Sequence, residues 1–177
     1  MTVQALRDRR IDKLAGLLET HGREIQAVAY LILRDRALAE DVTIETLLTA
    51  FERGGSIRDE SALRAWLLRV ATNKALSARR STARIADLTV VPERSAPGDV
   101  ASESVDRVVL LAAVGELPIA MRAAVVLRYY ADLSVEGVAE VLGKSPNTIK
   151  AQLQAGLDRL RRSLGEPAGM ARETRHA

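Results

Sequence analysis

Residues 86–106 read ADLTVVPERSAPGDVASESVD, and regular helical periodicity disappears across them. Pro92 and Pro97 each lack the backbone N–H that a helix interior needs, and Gly98 adds conformational entropy. Structureless stretches of this length are uncommon inside a compact domain. The segment therefore divides the chain. We expect an N-terminal unit over residues 1–85, a linker over 86–104, a C-terminal unit over 105–164 and a loose Gly/Pro-punctuated tail over 165–177.

Both units use a helix-forming alphabet. Aromatic residues are only 3 % of the 177, while Ala, Leu, Val and Arg dominate. With 47 % apolar and 28 % charged residues the balance is that of a soluble folded protein. The expected fold class is all-α, with two small helical domains joined by a flexible linker. The absence of cysteine excludes disulfides and thiolate metal sites. Only His21 and His176 supply imidazole, and no cluster of nucleophile, base and metal ligands emerges. The expectation is a binding protein with no metal, no cofactor and no catalysis. The polar residues 1–10 do not resemble a signal peptide, and no apolar run reaches membrane-span length, so a cytoplasmic protein without membrane insertion is expected. The net charge of +3 permits a polyanionic partner; where the charges cluster decides.

In the N-terminal unit, residues 10–33 place Leu14, Leu17, Leu18, Ile25, Val28, Leu31 and Ile32 at near-helical spacing, with Gly16 and Gly22 as weak points. Asp35 is placed to cap a second helix from about Ala37 to Arg53, ended by Gly54-Gly55. On that helix Asp41, Ile44, Glu45, Leu48 and Glu52 share one side. A stripe mixing carboxylates with aliphatics suits docking on a basic, partly apolar partner; the alternative is a solvated acidic face. After the loop GGSIRDES, with Asp59 or Ser61 as cap, a third helix runs from about Ala62 to Arg80. Arg69, Asn73, Ser77, Arg80 and Arg84 form its stripe, flanked by Lys74 and Arg79, and no acidic residue occurs from Ala62 to Arg84. Such a face suits DNA phosphates. Trp66 fits a structural role in a small core, with base stacking as the alternative.

The C-terminal unit is expected to form helices over Val105–Leu117, from Pro118, over Val135–Leu142 and from about Pro146 to Leu164. The last two read as a helix-turn-helix: Ser134 as a cap, Ala139 small at the crossing, Gly143 in the turn, and Ile149, with Val138, Leu142 and Leu153, pointing inward. In such motifs the start of the second helix enters the major groove. Here that stretch offers Ser145, Asn147, Thr148, Lys150, Ala151, Gln152 and Gln154. Arg159, Arg161 and Arg162 are placed for phosphate contacts. A plain helical hairpin with a basic face is the competing reading.

The run from Glu116 to Arg162, with its Leu-Pro start, VLRY helix and Asp-Leu-Ser before the motif, resembles the fourth region of sigma factors. Ala39-Glu40-Asp41-Val42, Glu45-Thr46, residues 65–73 (AWLLRVATN) and Arg79-Arg80 resemble the second region. Order and linker are similar to the compact extracytoplasmic-function type of the sigma-70 family. The resemblance implies an alternative sigma factor that directs core RNA polymerase to promoter DNA. By resemblance, Asp41, Ile44, Glu45 and Leu48 face the clamp helices of the β′ subunit, and the fourth region meets the β flap. Arg69, Asn73, Lys74, Ser77 and Arg80, with the loop 54–61, then hold the separated minus-ten strand, one of whose bases is flipped into that loop. Ser145, Asn147, Thr148, Lys150, Gln152, Arg161 and Arg162 meet the minus-thirty-five element. An anti-sigma partner is also implied. Two departures matter: Ile44 stands where the family usually has Gln, and Gln152, Gln154, Ala155 and Leu157 replace commonly basic positions. The alternative is a free-standing helix-turn-helix regulator, acting as a homodimer without polymerase.

Overall fold

The fold is described from a computed structural model, over residues 12–53, 59–86 and 105–165. Every regular element in those segments is helical. The first, α1, comprises residues 12–17, a π-turn at Leu18–Gly22 and the α-helix Arg23–Leu33. Its one face of Ile25, Val28, Ala29, Ile32 and Leu33 is buried. The helix stops where Arg34 takes a left-handed conformation (φ 60°) and donates its N–H to the Tyr30 carbonyl at 2.7 Å.

The second helix, α2, spans Arg36–Arg53, and the Asp35 carboxylate accepts from the Leu38 amide at 3.0 Å, as a cap does. Its inward face is Ala39, Val42, Thr43, Thr46, Leu47 and Ala50. Buried Thr43 and Thr46 donate their hydroxyls to the Ala39 and Val42 carbonyls, each at 2.7 Å, so neither enters the core unpaired. Helix α3 runs Glu60–Ala86, six residues past the expected end near Arg80. The sequence STARIA contains neither proline nor glycine, so nothing stops the helix there. Asp59 supplies the cap, accepting from the Ala62 amide at 3.2 Å.

The C-terminal half contains α4 (Val105–Glu116), α5 (Ile119–Val125, extended by the π-turn Val126–Tyr130), α6 (Val135–Leu142) and α7 (Pro146–Ser163). Leu127, Val138 and Ile149 are fully buried between them. Fully burying one such side chain is worth about 1.5–3 kcal/mol relative to leaving it in water. The two halves do not stand apart. Helix α1 packs on α2 and α3 and also on α4 and α5, α3 lies against α6, and the buried apolar side chains of both halves form one continuous core. The expected linker (apart from Ala86, the last residue of α3) and the tail beyond Gly165 lie outside the described residues.

Candidate nucleic-acid interface

Helix α2 sends its acids and two aliphatics outward because Val42, Thr46 and Leu47 take the inward positions of the same turns. Asp41, Ile44, Glu45 and Leu48 are all exposed. Ile44 is 58 % exposed and Leu48 45 %, although smaller residues of the same helix are fully enclosed. The two aliphatics thus lie one helical turn apart on the surface, beside the Asp41 and Glu45 carboxylates. Glu52 is exposed along the same helix, and Glu40 is tied to Arg36 at 3.2 Å.

Helix α3 buries Leu67, Leu68, Ala71 and Ala75. That rotation exposes Asn73, Ser77 and Arg80 and leaves Arg69 and Lys74 half-buried. Lys74 Nζ lies 2.8 Å from Glu45 Oε2, so the acidic surface of α2 and the basic stripe of α3 meet in one ion pair. Arg69 Nη2 lies 2.5 Å from Glu140 Oε1, a residue of α6. Trp66 is half-buried and packs against the core, in the structural position. The side chain of Arg84 and residues 54–58 of the expected strand-holding loop lie outside the described residues. At the near edge of that loop, Asp59 accepts from the Ser61 hydroxyl (2.7 Å) and from the Ser61 and Ala62 amides. These hydrogen bonds, the Ser61 hydroxyl first, hold its carboxyl below the ordinary aspartate range.

The helix-turn-helix forms from α6 and α7. Ser134 accepts from the Gly137 amide at 3.0 Å, and Ser145 accepts from the Thr148 amide at 3.1 Å, with Pro146 at the first turn of α7. Gly143 sits in the turn at φ +61°, a conformation side-chain-bearing residues rarely adopt. Val138, Ala139, Ile149 and Leu153 are buried at the crossing. Consequently Ser145, Asn147, Thr148, Lys150 and Gln154 are exposed on one end of α7. Gln152 is half-buried instead, and its Oε1 is enclosed with no hydrogen-bond partner among the described residues. Farther along, Arg161 pairs with Asp158 at 3.0 Å, Arg162 donates to the Asp158 carbonyl at 3.2 Å, and Gln154 also reaches the Asp158 carboxylate. The basic end of α7 is thus partly neutralised from within.

The sequence reading missed three groups that join the halves: Arg64, Arg122 and Glu140. Arg64 and Ala131 are 67 residues apart and Arg122 and Ile32 are 90 apart, so no local pattern signals either pair. Among the described residues, no group of three or more His, Cys, Asp or Glu is placed to hold a metal ion, and no helix is long and apolar enough to cross a membrane.

Residues 17–85 match the family described as Sigma-70 region 2, and residues 107–160 match Sigma-70, region 4. The chain is 33 % identical over 160 residues to the ECF RNA polymerase sigma factor SigL of Mycobacterium tuberculosis, covering 86 % of this chain and 89 % of that one. It is 30 % identical over 154 residues to SigM of the same organism, covering 84 % and 76 %. Among solved structures it is similar to the sigma factor RpoE of Bartonella quintana, crystallised with the anti-sigma factor NepR. That match has a TM-score of 0.75 and 25 % identity, covering 85 % of this chain and 96 % of that one.

Proposed function

The chain belongs to the sigma-70 family, among its extracytoplasmic-function members, and from that premise we propose how its surfaces divide the work. The protein is an alternative sigma factor: it binds core RNA polymerase and directs transcription initiation at promoter DNA. We read the chain as a region 2 unit over residues 1–85 and a region 4 unit over 105–164, joined by 86–104. Asp41, Ile44, Glu45 and Leu48 dock on the β′ clamp helices. Their carboxylates select a basic partner, and Ile44 supplies apolar contact where a hydrogen-bonding Gln is usual in the family. Region 4 meets the β flap.

On α3, Asn73, Ser77 and Arg80, with Arg69 and Lys74, hold the separated minus-ten strand. Asn73 offers a donor and an acceptor to a base or sugar, and the cations meet phosphates. On α7, Ser145, Asn147, Thr148, Lys150 and Gln152 face the minus-thirty-five element, and Arg161 and Arg162 anchor the phosphates flanking it. The chain supplies no chemistry of its own; its effect is to place polymerase and hold open DNA. It acts in the cytoplasm, where polymerase and chromosome are. RpoE is bound by an anti-sigma factor, and an anti-sigma partner of this chain would act by covering the same surfaces.

One observation supports the polymerase reading above all: Ile44 and Leu48 remain in water beside Asp41 and Glu45, on a helix whose smaller residues are buried. A free-standing helix-turn-helix regulator would use only α6 and α7 and leave that surface without a task. Run-off transcription with core polymerase, with and without the protein, tests the assignment. Discrete new transcripts are expected only when the protein is present. Absence of both transcripts and copurification with polymerase would sink it.

A further inference from the structure

We propose that Gln154 reads the upstream promoter element as a fixed hydrogen-bond acceptor, with Asp158 as the positioning residue that sets its amide. The inference rests on the reading of α7 as the minus-thirty-five surface. Gln154 lies on the face that α7 turns away from the core. At about 100° per residue, Asn147, Lys150, Ala151, Gln154 and Asp158 share one side of the helix, and Ile149, Leu153, Gly156 and Leu160 are buried on the other. Asn147, Lys150, Ala151 and Gln154 are all exposed. Gln152 stands at the flank of that side, half-buried, with its own Oε1 enclosed.

The amide of Gln154 has a defined orientation. Its Nε2 donates to both oxygens of Asp158, one turn farther on, at 3.0 Å to Oδ1 and 3.2 Å to Oδ2. A carboxylate only accepts hydrogen bonds, so the end of the amide that meets it is the NH2 end. Turning the amide over would set its oxygen against two other acceptors. Arg161 Nη1 donates to Asp158 Oδ1 at 3.0 Å, which steadies the carboxylate from its far side. The Oε1 of Gln154 is left with no partner among the described residues. Ala151, one turn earlier, ends at its methyl group and leaves that side of the amide open.

A free Gln side chain reads adenine with both ends of its amide, donating to N7 and accepting from N6. With the NH2 end committed to Asp158, Gln154 keeps only the acceptor. In the major groove that acceptor finds its complement in the amino groups of cytosine (N4) and adenine (N6). Guanine and thymine present O6 and O4 there, and oxygen facing oxygen is repulsive. Gln154 thus selects as a glutamate would, without bringing a further negative charge among the phosphates. The contact to Asp158, four residues on, also orders the long side chain before DNA arrives, which lowers the entropy cost of binding. Gln154 and Asp158 act as one reading unit, separate from the phosphate contacts assigned to Arg161 and Arg162.

The test uses the full chain assembled with core RNA polymerase and a pool of promoter-length duplexes randomised over the upstream block, sequenced after selection for binding. With the unmodified chain, one upstream position should prefer an amino base (cytosine or adenine) over a keto base (guanine or thymine) on the contacted strand, by about three- to tenfold. Gln154→Ala should abolish that preference and leave the other positions unchanged. Asp158→Asn, whose amide donates as well as accepts, should free Gln154 to turn and reduce the same preference to about twofold or less. Arg161→Ala should keep it, since Asp158 still accepts from Gln154. Each readout is a ratio within one variant, so a uniform change in DNA affinity or a modest loss of stability cancels. Upstream preferences that all survive Gln154→Ala, or an amino-base preference unchanged in Asp158→Asn, overturn the proposal while leaving α7 as the reading helix. Enrichment of no upstream sequence by the unmodified holoenzyme would instead remove the assignment of α7, and the proposal with it.

Discussion

The outward faces of α2 and α3 are neighbours on one half of the molecule, yet they stand in different states. On α2, Ile44 and Leu48 are exposed to water, with Asp41 exposed beside them. On α3, the cations Arg69 and Lys74 are already held, Arg69 by Glu140 and Lys74 by Glu45. Apolar surface can wait in water at modest cost, because no internal group competes for it. Cations attract whatever carboxylates the fold brings near. On the proposed assignments, the polymerase surface is largely preformed, with only Glu45 tied to Lys74, whereas the DNA surface must exchange internal partners for phosphates.

The largest effect should come from attacking the preformed side. Asp41→Arg with Glu45→Arg places two positive charges against a basic partner and should weaken core polymerase binding at least about tenfold. The fold should persist, since exposed substitutions away from caps and cores usually change stability by about 0.5 kcal/mol or less. Copurification with core polymerase and thermal unfolding check both halves of the claim. Unchanged polymerase affinity would mean that α2 does not carry the docking surface.

The contrast can be sharpened on α7, where Gln152 and Arg161 differ as α2 and α3 do. Gln152 has an enclosed, unpaired Oε1, whereas Arg161 is already bound to Asp158. A bidentate Gln–adenine pair discriminates by about 1–3 kcal/mol. Because Oε1 is enclosed, that pair requires the Gln152 amide to turn outward on DNA, and on that reading Gln152→Ala should relax preference at one or two upstream base pairs. Arg161→Ala should weaken every site alike and flatten the salt dependence, and only modestly, because Asp158 already screens it. Binding to single-base variants of the upstream element at two salt concentrations decides. A change of base preference in Arg161→Ala would end the division of roles.

Smaller still is the effect of the cap that aims this helix. Ser145→Ala removes the acceptor from the Thr148 amide and should cost about 1 kcal/mol, seen as a lower Tm. A Tm unchanged within error would show that the first turn of α7 holds without its cap.

The smallest concerns Asp59. Its folded carboxyl titrates below the ordinary range, so the stability it contributes is present above that range and is lost as pH falls through the lowered value. The Tm difference between the unmodified chain and Asp59→Asn should be constant from neutral pH down to about 5 and shrink in stronger acid. A difference that grew with acidification would contradict the hydrogen bonds at the start of α3.

Much of this molecule was legible along the chain. The caps at Asp35, Ser134 and Ser145, the glycine turn at Gly143 and the inward run Val138, Ile149 and Leu153 are local features, and all hold. So does the exposed stripe of α2, because helical periodicity alone decides which residues share a face. The end of α3 was less legible, since nothing in STARIA marks a stop or a continuation.

The sequence by itself determined which segments are helices, which faces they bury and which family the chain joins. All three depend on spacing within a few turns, or on motifs in order. Only the tertiary structure decided that the halves share one core, that Arg64 and Arg122 reach carbonyls 67 and 90 residues away, and that Glu140 holds Arg69. A guanidinium bonds any well-placed carbonyl, and nearly every residue offers one, so its choice of partner is set by which chains the packing brings within 3 Å and leaves no trace in the order of residues.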